Sequence, residues 1–301
     1  MPESLSFVDL LYRTWRRERK HRYVRRPLTL QRVVASVRPR LRQPVFIVGA
    51  PRSGTSFLGR CIAHLPGLSY HFEPPFTKAA ARHVYRGNWS TQRAARYYRR
   101  VYRWLLRAWA DGDERFAEKT PRNCFLIPFL YDTFPDARFV HIVRDGRDAA
   151  LSHSQKPWMQ PQGAGADDDG QSFGTTARFW VAPERREAFA ATTTFHRCIW
   201  TWRRHVAAAR AGLAHVPTHQ QHTLRYEALV QEPAATGAAL ARFLGYEAPV
   251  SAGFAEALAE ARDDSVGAWQ TALTVAQQQV AAQEAGALLK TLGYATPPHV
   301  R

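Results

Sequence analysis

Residues 45–60 read VFIVGAPRSGTSFLGR, and this stretch decides the fold. Its short β-branched run predicts a buried strand, and the glycine-containing turn that follows leads into a predicted helix, SGTSFLGRCIAHL. Gly49, Gly54 and Ser56 occupy fixed positions of G-x-x-x-x-G-K-[ST], but Thr55 stands where the lysine should be. Backbone N–H groups at a helix N-terminus bind an anion whatever the side chains. The stretch therefore predicts a P-loop-like site for phosphate or sulfate.

The missing lysine argues against an ATPase or kinase. Those enzymes use the lysine on the β- and γ-phosphates and a strand-terminal aspartate to help hold magnesium. Here the loop carries Arg52, and the buried strand in ARFVHIV ends first in Arg144, a cation that suits an anionic group better than a metal ion. A kinase or NTPase remains the alternative, with Asp145 and Asp148 as its metal candidates. A dinucleotide fold is disfavoured because GAPRSG does not contain G-x-G-x-x-G.

Predicted strands and helices alternate along the chain. LSYHF, ARFVHIV and QHTLRYE are predicted strands, and ERFAEK is predicted as an edge strand. Helical patterns cover residues 91–110, NCFLIPFLYDTF, FHRCIWTWRRHVAAARAGL and EPAATGAALARFLG. The order predicts an α/β fold, a P-loop-like parallel sheet flanked by helices, as a single domain over residues 44–301 with helical insertions. Residues 156–175 are rich in Gly, Pro and Asp, which is typical of a surface loop or lid.

The net charge of +17 is concentrated near the N-terminus. Residues 1–42 carry 12 basic and 3 acidic side chains, so 9 of the 17 net charges precede the loop. We predict a basic leader over residues 1–43, either solvated or a basic amphipathic helix on an anionic membrane or polyanionic substrate. Nucleic acid is an unlikely partner, because the Arg and aromatic residues of 82–109 follow helical periodicity. A non-catalytic basic binding protein is a further alternative that rests on charge alone.

The cysteines and the hydropathy pattern indicate the compartment. Cys61, Cys124 and Cys198 are widely spaced and form no C-x-x-C pair, which favours reduced thiols in a cytosol-like compartment. No stretch approaches about 20 consecutive apolar residues. The histidines form no metal-ligand pattern, so we expect no metal. We predict a cytoplasmic protein with a peripheral contact to the membrane.

Two motifs together resemble the cofactor motifs of the sulfotransferase family, which uses 3′-phosphoadenosine 5′-phosphosulfate (PAPS) as donor. They are PRSGTSFL and FVHIVRDGRDAALS, and the resemblance extends to EKTPRN, LRYEALVQEP and DDSVGAWQTAL, over most of residues 44–294. It implies transfer of a sulfuryl group without magnesium, so no lysine for a γ-phosphate is needed. The implied donor-binding residues are Arg52, with the backbone of Ser53, Gly54, Thr55 and Ser56, on the 5′-phosphosulfate; Arg144 and Ser152 on the 3′-phosphate; and Tyr226, Ser265, Val266 and Gly267 closing over the nucleotide.

The stretch SYHFEPP offers two candidates for the base that takes the acceptor proton, His71 and Glu73. If the stretch is extended, both point to the same face. The resemblance favours Glu73, keeps His71 as the alternative, and implies that Lys119 and Arg52 stabilise the transferring group. Structural roles, a salt-bridged Glu73 and a surface Lys119, stay open. The acceptor bears a hydroxyl, and a carbohydrate, glycolipid, small metabolite or tyrosyl residue all fit.

Overall fold

Five parallel strands form the central sheet of the structure, a computed structural model that describes residues 6–24, 26–159, 178–247 and 249–294. The strands are β1 (Val45–Val48), β2 (Leu68–Phe72), β3 (Arg115–Lys119), β4 (Arg138–Val143) and β5 (Gln221–Arg225). Their order is β2-β3-β1-β4-β5, and every pairing is parallel. The predicted P-loop-like parallel sheet flanked by helices is confirmed.

The prediction that ERFAEK is an edge strand is wrong. β3 lies between β2 and β1 and pairs with both. Two of its charged residues, Arg115 and Lys119, stand at its two ends, while Phe116, Ala117 and the charged Glu118 between them are fully buried. Three charged residues in a strand of five imitate the sequence pattern of an exposed edge.

Helices connect the strands and cover the sheet. The stretch NCFLIPFLYDTF, residues 123–134, was predicted as one helix, but the chain forms a 3₁₀ helix (Pro121–Phe125) followed by α6. The helices of the described residues are α1 (Phe7–His21), α2 (Leu30–Val37), α3 (Thr55–Ile62), α4 (Pro75–Tyr85), α5 (Thr91–Ala108), α6 (Ile127–Thr133), α7 (Gly146–Ser154), α8 (Arg186–Ala191), α9 (Thr194–Leu213), α10 (Tyr226–Gln231), α11 (Pro233–Phe243), α12 (Ala252–Ala259), α13 (Trp269–Ala272) and α14 (Val275–Thr291).

The sheet separates two apolar cores. Successive side chains of a strand point to opposite faces, so Phe46 and Val48 of β1 pack in one core, with α5 and α6, while Val45 and Ile47 pack in the other, with α3 and α11. Because all strands are parallel, their carboxyl ends meet at one edge of the sheet. Ligands of open α/β sheets bind at this edge, and the loop after β1 opens there.

Several predictions concern segments outside this scaffold. Of the predicted lid, residues 160–175 lie outside the described residues. The boundary of a leader at residue 43 stays a prediction. All three cysteines are buried and unpaired. In the described ranges, no helix has the length and apolar character needed to span a bilayer.

Candidate active site

The loop after β1 is held in a conformation that its residue types allow. Gly54, immediately before α3, has φ +87°, and a Cβ at this position would lie 2.5 Å from the Tyr226 ring. Only glycine therefore lets the tyrosine pack against the loop. Arg52 also has a positive φ of +68°, an uncommon conformation for a residue with a side chain. The contact of Tyr226 with this loop therefore depends on glycine at position 54.

The loop delivers backbone donors to the start of α3. Thr55 is the first residue of α3, and the first N–H groups of a helix have no carbonyl partner within it. Before the helix begins, the Ser53 N–H donates to the Ala50 carbonyl (3.2 Å), and this hydrogen bond closes the turn. The Ser53 Oγ is buried and has no hydrogen-bond partner among the described residues. An anion accepting from these groups fits the chemistry of the loop.

Two guanidinium groups converge beside the loop. Arg144, directly after β4, donates to the Arg52 carbonyl (3.2 Å) and to the Ser265 carbonyl, and its guanidinium carbon lies 4.6 Å from the centre of the Tyr226 ring. The Arg52 Nε donates to Ser152 Oγ on α7 (3.2 Å). The structure therefore brings together residues that were assigned to the two ends of the donor, with Arg52 reaching the serine predicted for the 3′-phosphate.

The electrostatics of this pair indicate an anion site. Burial, and then the charge of Arg144, lower the pKa of Arg52. No carboxylate among the described residues forms an ion pair with either arginine, and the Arg144 Nε is buried without a partner in the same set. Two neighbouring cations of this kind are stabilised by an anion between them. A 3′-phosphate and a 5′-phosphosulfate suit both groups.

The segment that carries Ser265, Val266 and Gly267 is tied to α7. The Gly267 and Trp269 N–H groups donate to the two carboxylate oxygens of Asp148 (2.8 and 2.9 Å). The segment thus lies over Arg144, as the prediction that it closes over the nucleotide requires.

The same bonds weaken the kinase alternative. Asp145 accepts from Arg147 (2.6–2.9 Å), and Asp148 holds the C-terminal segment, so both metal candidates have structural partners. Nowhere in the described ranges do three His, Cys, Asp or Glu side chains gather in a way that could hold a metal ion.

Glu73 lies between two lysines. Its Oε1 accepts from Lys119 Nζ (2.6 Å) at the end of β3, and its Oε2 accepts from Lys78 Nζ (2.7 Å) on α4. Glu73 itself follows β2 with φ +43°, and its N–H donates to the Lys119 carbonyl (2.9 Å). The Lys119 Nζ also lies 4.0 Å from the centre of the Phe72 ring. The alternative of a surface Lys119 is wrong, since the residue is 2% exposed, whereas the alternative of a salt-bridged Glu73 is observed.

The cations around Glu73 keep it ionised. Burial raises the pKa of its carboxyl, but Lys119, Lys78 and Arg17 outweigh that effect, and the pKa lies well below its usual range. Burial lowers the pKa of Lys119, with smaller contributions in the same direction from Lys78 and Arg17, against the opposing charge of Glu73. Each member of the cluster therefore depends on its partners for its charge.

His71 does not share the face of Glu73. It is 0% exposed, its ring stacks on Phe116 with centroids 4.7 Å apart, and its Nδ1 and Nε2 lie 2.9 Å from Glu18 Oε2 and 3.0 Å from Ser69 Oγ. The expectation that the two candidates point the same way is wrong because β2 ends at Phe72 and the chain turns at Glu73. His71 has no access to a substrate hydroxyl, which leaves Glu73 as the candidate base.

Helix α1 packs directly on this region. Arg17 donates to the Glu73 carbonyl (2.8 Å) and lies 3.5 Å from Glu73 Oε2, and Glu18, 4% exposed, reaches His71. Arg22 also pairs with Asp111. The interpretation of this segment as a loosely packed, solvated leader is therefore wrong for α1.

One cavity joins the loop to the Glu73 cluster. Its volume is about 220 Å³, and it is lined on one side by Arg52, Thr55 and Ser56 and on the other by Glu73 and Lys119. The remaining lining residues include Phe72, Lys78, Arg122, Arg178, Trp180, Phe189 and His205. Three of the predicted donor-binding residues, Arg52, Thr55 and Ser56, thus share a space with Glu73 and Lys119, while Arg144 and Ser152 do not line it.

Sequence reasoning missed Lys78 and Arg17, and it considered Asp148 only as a metal candidate of the kinase alternative. Lys78 stands five residues after Glu73, a spacing that could have suggested a second cation. Arg17 lies 56 residues from Glu73 and carried no signal beyond membership of a basic run.

Comparisons with known proteins agree with this arrangement. A family model described as "Sulfotransferase family" matches residues 44–249. No curated protein matches the chain in sequence. Sulfotransferase STF9 from Mycobacterium avium aligns with a TM-score of 0.52 at 14% identity, over 87% of this chain and 80% of that chain. A solved "Sulfotransferase Domain from the Curacin Biosynthetic Pathway" aligns with a TM-score of 0.50 at 16% identity, over 86% of this chain and all of that chain. At these identities the structural likeness concerns the fold.

Proposed function

Because this chain belongs to the sulfotransferase family, and is a sulfotransferase that uses PAPS as sulfuryl donor, we propose that Glu73 and Lys119 serve transfer to an acceptor hydroxyl in the cavity they line. The observation that carries the proposal is the position of the Glu73 carboxylate, 2.6 Å from Lys119 Nζ and on the same cavity as Arg52 and the start of α3. A proton acceptor, a cation and an anion-binding loop then surround one small space.

Each group in this space has a role in the proposal. Arg144 and Ser152 hold the 3′-phosphate, and Arg52, with the Ser53 hydroxyl and the N–H groups of residues 54–56, holds the 5′ end of the donor. PAPS supplies the sulfuryl group when bound. Glu73 accepts the proton of the acceptor hydroxyl, and Lys119 places a positive charge where negative charge develops in the transition state. Tyr226 and the segment Ser265, Val266, Gly267 close the nucleotide site and exclude water.

The test compares Glu73→Gln with His71→Asn. Glutamine keeps the shape of Glu73 but accepts no proton, so we expect transfer to fall by roughly 10² to 10⁴ fold while affinity for 3′-phosphoadenosine 5′-phosphate (PAP) hardly changes. At temperatures at which the His71→Asn variant is folded, it should keep its turnover, because His71 does not face the cavity. Near-normal turnover of the glutamine variant beside an inactive, folded His71→Asn reverses the assignment.

The acceptor is proposed by class. Aromatic faces of Phe72, Trp180 and Phe189 line the cavity, and such faces suit a sugar ring or a phenol. We therefore keep a carbohydrate, a glycolipid, a small metabolite and a tyrosyl residue as acceptors bearing the hydroxyl. Radiolabelled PAPS against a panel of these four classes identifies the one that gains label, and the Glu73→Gln variant serves as the blank.

The same proposal includes a cytoplasmic location and a peripheral contact with an anionic membrane through residues 1–42. Of the twelve exposed large apolar side chains in the described part of the chain, nine fall within residues 7–37. Trp15 of α1 and Leu28, which precedes α2, line one open groove together with Arg19, Arg22 and Arg26. Apolar groups flanked by basic ones are the pattern of interfacial helices on anionic lipid.

Part of the basic charge of this segment serves the fold and is not available to lipid. Arg17, Arg22, Arg26 and Arg32 form ion pairs with acidic residues of the domain. We therefore expect apolar contacts to contribute more to membrane binding than the net charge of the segment suggests, with a modest salt dependence.

Vesicle sedimentation tests the contact. On vesicles with phosphatidylglycerol, the pair Leu30→Ser and Val34→Ser, at sites 80% and 63% exposed, should lose binding, and the pair Arg16→Ser and Arg19→Ser should lose it in low salt. Val275→Ser is the matched control, since Val275 is 64% exposed but lies on α14. Unchanged vesicle binding of both double variants contradicts a lipid contact through this surface.

A further inference from the structure

Helix α1 belongs to the part of the chain that precedes the family match, which begins at residue 44. We propose that Arg17 of α1 is a positioning residue of the active site, which fixes the turn at Glu73 and the orientation of its carboxylate. This inference rests on the proposed role of Glu73 as base. It assigns to the N-terminal segment an indirect part in catalysis, exerted through Glu73, in addition to any contact with a membrane.

The geometry of Arg17 supports this role. Its NH1 donates to the Glu73 carbonyl at 2.8 Å and lies 3.5 Å from the carboxylate Oε2. One guanidinium thus touches both the backbone and the side chain of the same residue. Glu73 has φ +43°, a conformation that is unfavourable for a residue with a side chain unless its surroundings hold it. A bond to its carbonyl is a direct means of holding the turn.

A buried polar chain fixes the register of α1, so Arg17 cannot drift. Glu18, the next residue, contacts His71 of β2, and His71 contacts Ser69, which donates to Asp111 (2.8 Å). Asp111 in turn pairs with Arg22, one turn further along the chain from Glu18. Replacing buried charges of this kind is costly. The helix is therefore anchored immediately after Arg17, on its C-terminal side.

The charged groups around the Glu73 carboxylate come from three elements. Arg17 approaches from α1, Lys78 from α4 and Lys119 from β3. His21, whose ring stacks on Phe72 with centroids 3.8 Å apart, has its pKa lowered to about 4 by burial and then by the charges of Lys20, Lys119 and Arg17. Arg17 is the cation of the three that also holds the backbone.

The experiment uses the full chain and the substitutions Arg17→Met, Arg17→Lys and, as matched control, Arg16→Met at the exposed neighbouring position. The first readout needs no acceptor. The side-chain ¹³C resonance of Glu73, assigned by its loss in Glu73→Gln, is followed from pH 7 downwards over the range in which the protein stays folded. With Arg17→Met the carboxyl should titrate at a higher pH than in the unmodified chain, because one of the cations that lower its pKa is removed. Arg17→Lys should recover most of this shift, and Arg16→Met should leave the titration unchanged.

The second readout is transfer to whichever acceptor of the panel gains label. Arg17→Met should lower kcat about ten-fold with little change in the affinity for PAP, and it should have no further effect when Glu73 is already glutamine. A normal titration and a normal kcat in a folded Arg17→Met protein overturn the inference, while an inactive Glu73→Gln still supports the base. An active Glu73→Gln removes the base itself, and the titration then still decides whether Arg17 orders the carboxyl.

Discussion

Glu73 serves two opposed demands at the scale of the single residue. A base must accept a proton, yet three cations hold the pKa of this carboxyl well below its usual range. The cations keep Glu73 ionised and oriented, and they weaken it as a proton acceptor. Removal of one cation should therefore change the pH dependence of transfer as well as its rate.

We predict that the acidic limb of kcat/KM lies below about 4.3, the ordinary value for glutamate. A lowered pKa means that the active, ionised form persists above that pKa and is lost only as the pH falls through it. Lys78→Met removes one of the cations, so the limb should move up towards 4.3. Profiles from pH 3.5 to 7 at constant ionic strength give the measurement. A limb near 6.5 in the unmodified protein points to a histidine instead.

Arg144 gives a second prediction at this scale. Arg144→Ala should weaken binding of PAP by about ten- to a hundred-fold, the effect of losing a charge-assisted contact worth roughly 1.5 to 3 kcal/mol. Adenosine 5′-phosphosulfate, which lacks the 3′-phosphate, should lose much less. Arg138→Ala, at the opposite end of β4, is the control. Equal losses for both nucleotides in a calorimetric titration remove Arg144 from the 3′-phosphate.

Local motifs made the loop residues predictable, but the partners of Glu73 were not. Short sequence patterns predict that three of the loop residues follow the ends of strands: Gly54, Thr55 and Arg144. Arg17 contacts Glu73 across 56 residues of sequence, and no periodicity encodes that contact. The turn at Glu73 likewise follows from tertiary packing, so a simple alternation rule put His71 on the wrong face.

Helix α1 shows at the element scale why a basic helix is difficult to orient from sequence. The helix was predictable, because a Ser6 capping box and an apolar start precede the basic run. The face of α1 that packs on the domain was not predictable, because charged residues occupy every face of the helix. Arg17 and Glu18 turn inward, while Arg16 and Arg19 remain exposed. Only contacts with β2 and α4 select this orientation.

Glu18 supplies the prediction for this element. Glu18→Ala leaves His71 buried without its partner, so the free energy of unfolding should fall by about 3 kcal/mol or more, as for other broken buried pairs. Arg16→Ala, on the exposed face, should change it by less than about 0.5 kcal/mol. Urea unfolding monitored by tryptophan fluorescence measures both. An equal, small effect of the two substitutions contradicts the anchoring of α1 on the domain.

At the scale of the whole molecule, the net charge of +17 overstates what a partner meets. Four arginines of the N-terminal segment pair with acidic residues of the domain. The parallel sheet was predictable from alternating elements, but the strand order was not, because the place of β3 depends on long-range pairing with β1 and β2. The composition of the chain gives its net charge, but the fold determines which of the charged side chains remain at the surface.

The Arg52 and Arg144 pair leads to a prediction about the stability of the whole chain. Two neighbouring guanidinium groups without a carboxylate partner among the described residues destabilise the ligand-free state, so an anion with two acidic ends should raise the melting temperature. PAP at ~100 times its Kd contributes roughly 2.7 kcal/mol, which for a chain of this length corresponds to about 4 °C. The shift should appear in EDTA, be larger than that of ATP, and shrink in Arg144→Ala. A magnesium-dependent ATP shift that exceeds the PAP shift supports the kinase alternative and contradicts the donor site described above.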